Sequence, residues 1–191
     1  MKIGPHEITL DGAAFVIAEI GANHNGDMSL ARDLIDAAVI AGADCVKFQS
    51  WTKDTIFSRE VYDNDKFLSD GRDEERAESL EDVVEKYSVS KLELTNLNAY
   101  AVEKGIIFSC SGFSFDEIDF LVDELKIPFI KVASMDVPNL PFLKHIGEKC
   151  LPVILSTGLS SMEEITAAAN TLTEAGASDL IVLHCIAQYP P

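Results

Sequence analysis

Short apolar segments alternate with amphipathic segments along most of this sequence. The apolar segments are β-branched and lack the polar alternation of a half-exposed strand, as expected of parallel strands covered on both faces. The amphipathic segments carry helix signals, including capping-box spacing from Ser114 to Glu117 and from Ser161 to Glu164. The predicted strands are residues 15–20, 45–49, 106–109, 129–133, 153–156 and 180–184. Such repeated β-α units predict right-handed parallel crossovers.

Two architectures fit repeated β-α units: an α/β barrel of the TIM (β/α)₈ type and an open doubly wound sheet. No Gly-x-Gly-x-x-Gly follows the first strand, so the main sign of a dinucleotide-binding sheet is missing and the barrel is favoured. The pattern supplies only about six β-α units, whereas a barrel of this type typically needs about 250 residues. We therefore expect residues 1–191 to be the N-terminal part of a barrel. A hairpin is predicted before the first strand, with Asp11 and Gly12 as its turn.

Charge and composition argue against several classes of protein. The chain has a formal net charge of -17, which argues against nucleic acid, since clustered Lys and Arg bind phosphate backbones. No stretch approaches the roughly 18 consecutive apolar residues of a membrane span, and residues 1–6 lack the apolar region expected of a signal peptide. Four cysteines without a C-x-x-C pair indicate a reducing compartment. We expect a cytoplasmic protein without membrane or nucleic-acid partners.

Polar residues occupy the ends of the predicted strands, where barrels place their chemistry. Lys47 and Lys131 lie inside apolar strands, where an unpaired ammonium costs on the order of several kcal/mol. Two such lysines on different strands indicate a shared anion. The other polar residues at strand ends are Glu19, Asn23, His24, Gln49, Cys110, Ser111, Ser134, Asp136, Ser156, Thr157, His184, Gln188 and Tyr189.

Two chemical interpretations follow from these residues. Lysines with small hydroxyls are typical of a site for phosphate and carboxylate, with Glu19 and Asp136 as acid–base or hydroxyl-orienting groups. A desolvated lysine is also the way in which aldolases prepare a nucleophilic amine for a Schiff base. The residues alone leave both open.

Five motifs carry a family resemblance: IAEIGANHNG, AGADCVKFQS, IPFIKVASMDVPNLPFL, ILSTGLSSMEEI and LHCIAQYPP. In this order and spacing they resemble the sialic acid synthases, which make N-acetylneuraminate, legionaminate and pseudaminate. The resemblance implies a transferase that condenses phosphoenolpyruvate with an N-acyl hexosamine aldehyde such as N-acetylmannosamine. The product is a nine-carbon 2-keto sugar acid, and phosphate is released. The resemblance also implies a homodimer and a divalent metal, Mn²⁺ or Mg²⁺, that polarises the aldehyde.

Motif positions assign roles by resemblance. The implied catalytic residues are Glu19, Lys131 and Asp136, and the implied substrate-binding residues are Lys47, Gln49, Ser111, Ser134, Ser156 and Tyr189. Of the catalytic residues, Lys131 also contacts phosphoenolpyruvate and Asp136 binds sugar hydroxyls, whereas His24 has no assigned role. No metal ligand is expected within this chain, because the family's metal-binding histidines lie beyond Pro191, as does a C-terminal antifreeze-like domain. Residues 1–191 alone are therefore expected to be inactive, and a barrel fragment used only for assembly is the remaining alternative.

Three positions depart from the family pattern. The common Ser-Thr-Pro-Phe reads Cys110-Ser111-Gly112-Phe113, which keeps a hydroxyl at Ser111 and is expected to loosen the loop. Asp136 is one methylene shorter than the usual Glu, so a different sugar preference is expected. Ile186 and Ala187 replace a Thr and a polar residue, and one phosphoenolpyruvate contact is therefore not expected from this loop.

Overall fold

Six parallel strands form the centre of the chain in the computed structural model, which describes residues 1–64 and 79–188. Two short antiparallel strands come first, β1 (Lys2–Ile3) and β2 (His6–Glu7). The six parallel strands are β3 (Ile17–Gly21), β4 (Cys45–Ser50), β5 (Ile107–Gly112), β6 (Ile130–Val132), β7 (Val153–Ser156) and β8 (Leu180–Leu183). The helices are α1 (Met28–Ile40), α2 (Lys53–Ile56), α3 (Arg59–Asn64), α4 (Leu80–Tyr87), α5 (Lys91–Lys104), α6 (Phe115–Asp119), α7 (Leu140–Glu148) and α8 (Met162–Ala175). Each strand predicted from the sequence is present, with shifted ends.

Strand order distinguishes the two candidate architectures. Strands β3, β4 and β5 pair in chain order in one parallel sheet, and β6, β7 and β8 do so in a second. The two sheets meet where β5 contacts β6. A doubly wound sheet reverses its strand order at a switch point, whereas a barrel adds each strand beside the last. The fold is therefore a partial (β/α)₈-type barrel, as predicted.

Alternate residues of the strands pack into two separate clusters. One face of β4 and β5, with Val46, Phe48 and Phe108, packs among helix residues in the larger core. The opposite face, with Cys45, belongs to a smaller interior cluster that also contains Phe129 and Ile154. Both faces of the strands are thus covered, which explains why the strands read as continuous apolar runs.

The N-terminal hairpin differs from the prediction. Its strands β1 and β2 are antiparallel, and Gly4 and Pro5 form the turn between them, with Gly4 at a φ of 54°. The predicted turn at Asp11 and Gly12 was wrong for the hairpin; it is a separate turn that follows. Asp-Gly is the stronger hairpin signal in sequence, but the completely buried Ile3 anchors the earlier pairing inside the smaller cluster.

Helix boundaries follow the predicted signals. Helix α8 starts after a capping box between Ser161 and Glu164 and ends at Gly176, whose φ of 118° lies in the left-handed region. A proline near the first position opens α7, where its missing N–H leaves no helical hydrogen bond unmade. Among the described residues, none of the helices combines the length and apolar character needed to cross a membrane.

Candidate active site

Lys47 meets a carboxylate and a hydroxyl inside the barrel. Its Nζ lies 2.6 Å from Oε2 of Glu19 on β3 and donates a hydrogen bond of 3.3 Å to Oγ of Ser111 on β5. The Lys47 side chain is 7% exposed, whereas that of Glu19 is 53% exposed. Three adjacent strands therefore place a cation, a solvent-accessible carboxylate and a hydroxyl together, and the carboxylate compensates the ammonium in the apolar strand.

The end of β3 brings Glu19 close to Gln49. The register between β3 and β4 shifts between Glu19 and Gly21, which marks a bulge. Gly21 has a φ of 52°, and a Cβ there would lie 3.3 Å from Oε1 of Glu19 and 3.5 Å from Oε1 of Gln49. Glycine at this position thus permits both the left-handed backbone and the close approach of the two side chains.

Lys131 has a different environment. Its Nζ donates to Oγ of Ser156 on β7 at 2.5 Å and to the carbonyl oxygen of Val132 at 2.7 Å. Burial and the positive charge of Lys47 lower the pKa of Lys131 to about 8, and the carboxylates of Glu19 and Asp136 oppose this shift weakly. Within the part of the chain that the structure describes, no carboxylate lies within ion-pair distance of Lys131.

One cavity of about 310 Å³ contains both lysines and Glu19. Its other lining residues are apolar, and they are Ile8, Phe15, Ile17, Ile154, Ile181 and Leu183. The low polarity of this lining strengthens the interaction of the two ammonium groups with an anion. Three residues predicted separately from three strands thus face one space.

Asp136 and Ser134 lie in the loop after β6. Asp136 is buried, and burial raises its pKa to about 6, against the opposing effect of the Lys131 charge. Ser134 Oγ accepts a hydrogen bond of 2.9 Å from the backbone N–H of Gly158, which joins this loop to the loop after β7. Ser134 also lines a second cavity of about 300 Å³, so these residues extend the site beyond the lysine cavity.

His24 is buried, and its contacts are with residues of the fold. It is 1% exposed, its Nδ1 accepts a hydrogen bond of 3.0 Å from the N–H of Gly26, and its ring lies 6.2 Å from that of Phe48. Burial lowers its pKa, and the charge of Glu93 opposes the shift. The hydrogen bond to Nδ1 thus holds the turn that ends the IAEIGANHNG motif after β3.

Other residues at strand ends are not part of this arrangement. Cys110 faces the helices in the larger core, because it alternates with the inward-facing Ser111, and burial raises its pKa. His184 and Gln188 follow β8 and are exposed. Tyr189 lies outside the described residues.

Two buried polar residues were missed at the sequence level. Ser109 on β5 pairs in register with Lys47, and its Oγ is buried without a hydrogen-bond partner among the described residues. Glu117 is 5% exposed and accepts hydrogen bonds from two loops. Capping-box spacing was the sequence signal at Glu117, but it predicts an exposed helix start rather than a buried carboxylate.

The NeuB family profile matches residues 34–191. The chain belongs to the NeuB family. This confirms the resemblance to sialic acid synthases that the sequence motifs indicated.

Individual relatives agree with this assignment. The chain is 34% identical to N,N'-diacetyllegionaminic acid synthase of Legionella pneumophila, covering 92% of this chain and 49% of the relative. It is 33% identical to N-acetylneuraminate-9-phosphate synthase of Drosophila melanogaster, covering 93% and 46% respectively. The chain thus spans about half the length of the curated relatives it matches.

A solved structure gives the same result for the fold. The N-acetylneuraminic acid (sialic acid) synthetase of Leptospira borgpetersenii, solved in complex with citrate, superimposes with a TM-score of 0.80 at 29% identity. The alignment covers all of this chain and 60% of that protein. The partial barrel is therefore similar to a portion of a larger synthase fold.

Proposed function

We propose that the complete protein containing this chain condenses phosphoenolpyruvate with an N-acyl hexosamine aldehyde, such as N-acetylmannosamine. The product is a nine-carbon 2-keto sugar acid of the sialic acid type, and inorganic phosphate is released. The observation that carries the proposal is the cavity in which Lys47, Lys131 and Glu19 face one another. Membership of the NeuB family supports the reaction class.

The two lysines are the proposed anion-binding groups. Phosphoenolpyruvate carries a phosphate and a carboxylate, and two ammonium groups in a mainly apolar cavity supply complementary charge. Ser111 and Ser156 orient the lysines through their hydroxyls, since each is hydrogen-bonded to one Nζ. In this proposal Gln49 and Ser134 add further polar contacts at the mouth, and Tyr189 adds one from the loop after β8.

Glu19 is the proposed catalytic carboxylate. C3 of phosphoenolpyruvate attacks the aldehyde carbon of the sugar, and water adds at C2. The tetrahedral intermediate then loses phosphate as the C–O bond breaks. Glu19 is accessible and lies beside Lys47, so a substrate bound by Lys47 brings C2 and its attacking water close to this carboxylate. Asp136 is the proposed partner of the sugar hydroxyls.

The divalent metal that the resemblance implies would polarise the sugar aldehyde as a Lewis acid when bound. In the described ranges 1–64 and 79–188, no three His, Cys, Asp or Glu side chains are grouped so as to hold an ion. We propose that the ligands for Mn²⁺ or Mg²⁺ come from beyond residue 191, as the resemblance implies. A homodimer in the cytoplasm is the assembly that we propose.

The nature of the acceptor sugar is proposed only as a class. Relatives named for legionaminic acid and for N-acetylneuraminate 9-phosphate match at 34% and 33% identity. Such similar identities do not favour the acceptor of one relative over that of the other. We therefore propose only the acceptor class for this protein, an N-acyl sugar.

Phosphate release by the complete protein tests this function. The protein is incubated with phosphoenolpyruvate, Mn²⁺ and either N-acetylmannosamine, its 6-phosphate or a 2,4-diacetamido sugar. We expect sugar-dependent phosphate release with at least one acceptor, and mass spectrometry should show a nine-carbon 2-keto acid. Absence of phosphate release with every acceptor would contradict the proposal.

A Schiff-base aldolase is the second candidate, and the lowered pKa of Lys131 favours it. A pKa of about 8 leaves a sizeable fraction of neutral amine near neutral pH. Borohydride reduction in the presence of pyruvate distinguishes the two reactions. The aldolase predicts a covalent adduct at Lys131 or Lys47 by peptide mass spectrometry, and the synthase predicts none.

A further inference from the structure

Glu117 is a buried carboxylate that the proposed reaction does not use. It is 5% exposed and occupies the first turn of α6, directly after β5. Among the described residues it forms no ion pair with Lys, Arg or His. Burying a carboxylate is costly unless hydrogen bonds satisfy it, so its partners indicate what it does.

The Glu117 carboxylate joins two loops at the C-terminal ends of adjacent strands. Its Oε2 accepts a hydrogen bond of 2.7 Å from the N–H of Phe113, in the loop after β5. Its Oε1 accepts one of 3.0 Å from Oγ1 of Thr55 in α2, which follows β4. Burial raises the pKa of Glu117, and the hydrogen bonds from Phe113 and Thr55 oppose this shift.

These two loops flank the Lys47 site. Phe113 is two residues beyond Ser111, whose Oγ accepts from Lys47, and Thr55 follows the strand that carries Lys47 and Gln49. The β4–β5 ladder ends at the pair Ser50 and Gly112, so the contact between the two loops holds the end of the ladder that places Ser111 beside Lys47.

The same carboxylate compensates for the departure at Gly112. A Cβ at Gly112 would lie 3.1 Å from Cβ of Glu117 and within 3.3 Å of the Leu121 and Ile118 side chains. Glycine thus lets α6 pack directly against the end of β5, which brings the Glu117 carboxylate within reach of Phe113. The loop expected to be loosened by loss of proline is held by this carboxylate.

We propose that Glu117 is a positioning residue for the anion site, which holds Ser111 against Lys47 by joining the loops after β4 and β5. The inference rests on the proposed function for the identity of the anion, phosphoenolpyruvate. The joining of the two loops by Glu117 does not depend on which anion binds, and it can be measured separately.

Trp51 supplies that readout. It is the single tryptophan of the chain, its ring lies 6.1 Å from that of Phe113, and its Nε1 donates to the carbonyl oxygen of Val84 at 3.1 Å. Trp51 therefore lies in the loop after β4 and contacts the loop after β5, and its fluorescence reports on the packing of the two loops in the absence of any ligand.

Three variants of the complete protein test the proposal, and a fourth serves as the control. In Glu117→Ala both hydrogen bonds are lost, and we expect the KM for phosphoenolpyruvate to rise about tenfold, with little change in kcat or in the KM for the sugar. Acrylamide quenching of Trp51 should increase, measured in a background in which any tryptophan beyond residue 191 is replaced by phenylalanine. Thr55→Val removes one hydrogen bond, and about a threefold rise in KM is expected; this variant also serves if Glu117→Ala does not fold. Glu117→Gln can accept from Phe113 and donate to Thr55 Oγ1, so wild-type behaviour is expected.

The matched control is Glu93→Ala, which removes the equivalent carboxylate of the Ser90 capping box on α5. It should lower stability without changing Trp51 quenching or the KM for phosphoenolpyruvate. Unchanged quenching and KM in both Glu117→Ala and Thr55→Val would overturn the proposal. So would a Glu117→Gln variant as impaired as Glu117→Ala, because the charge itself would then be required. If the wild-type protein does not bind phosphoenolpyruvate, the proposed function fails, and Trp51 quenching still tests the joining of the loops.

Discussion

Lys47 lies on the middle strand of one sheet and Lys131 on the first strand of the other, and the partners of the two lysines differ. Lys47, in the sheet of β3, β4 and β5, has a carboxylate 2.6 Å away. Lys131, in the sheet of β6, β7 and β8, has only the Ser156 hydroxyl and the Val132 carbonyl within hydrogen-bond distance among the described residues. Among the described residues, a carboxylate thus compensates the charge of Lys47, and none compensates the charge of Lys131.

This asymmetry has a chemical consequence. A lysine without a carboxylate in a mainly apolar cavity favours an anionic ligand, and burial together with the charge of Lys47 lowers the pKa of Lys131. The carboxylate beside Lys47 is accessible and can act on the ligand that the lysines hold. In the proposed function, the half of the site with Lys131 therefore binds the anion, and the half with Lys47 also carries the proposed catalytic carboxylate.

The largest effect is expected from Glu19→Gln. Removing the catalytic charge should reduce kcat about 10³-fold, within the range for loss of an acid–base group, while phosphoenolpyruvate still binds. Steady-state phosphate release and calorimetric titration measure the two quantities. Glu7→Gln, on the exposed second strand of the hairpin, is the control and should be fully active. Near-normal turnover of Glu19→Gln would remove its catalytic role.

Replacing either lysine by methionine should weaken phosphoenolpyruvate binding about 100-fold, because each removes a charge-assisted hydrogen bond to the anion. The two variants should differ in stability. Lys131→Met removes a desolvated charge that has no carboxylate partner, and thermal unfolding near pH 7 should occur at a higher temperature than in the wild type. Lys144→Met, at an exposed position of α7, controls for net charge. Equal affinity in the Lys131→Met variant and the wild type would exclude Lys131 from the site.

The pH dependence of binding should also depend on Lys131. Its ammonium form predominates below its pKa of about 8, so affinity for phosphoenolpyruvate should be about tenfold lower at pH 9 than at pH 7 as the positive charge is lost. Titration calorimetry at the two values measures this change. Lys131→Arg keeps its charge over this range and should abolish the decrease. A decrease of the same size in Lys131→Arg would assign it to another group.

The smallest effects are expected at the hydroxyls. Ser111→Ala and Ser156→Ala each remove one hydrogen bond to a lysine, so a loss of about 1 kcal/mol, or roughly fivefold in affinity, is expected. Ser156→Ala should have the larger effect, because Lys131 has no carboxylate partner to fix its position. A larger loss of affinity in Ser111→Ala than in Ser156→Ala would contradict the view that Lys131 depends more on its hydroxyl partner than Lys47 does.

The sequence was sufficient for the strands, and it identified three residues that line one cavity, Glu19, Lys47 and Lys131. Apolar runs located the six parallel strands, and capping signals located helices between them. The two lysines in apolar runs were recognised because an ammonium there needs a partner. The pairing of Lys47 with Glu19 was not predictable, since it depends on the register between β3 and β4 and on the bulge before Gly21.

Other features depended on packing between distant segments. The orientation of Cys110 followed from the extension of β5 to Gly112, beyond the predicted end of that strand. The role of Glu117 required the approach of α2, which is 62 residues away along the chain. Local capping signals were present at both Glu117 and Glu164, and only the tertiary structure shows that the first is buried.

The most direct test of the account is a crystal structure of the complete protein with phosphoenolpyruvate bound. The account predicts that oxygen atoms of one phosphoenolpyruvate molecule lie about 3 Å from both Lys47 Nζ and Lys131 Nζ, with C2 facing Glu19. A molecule bound outside this cavity, or in contact with only one of the two lysines, would contradict it.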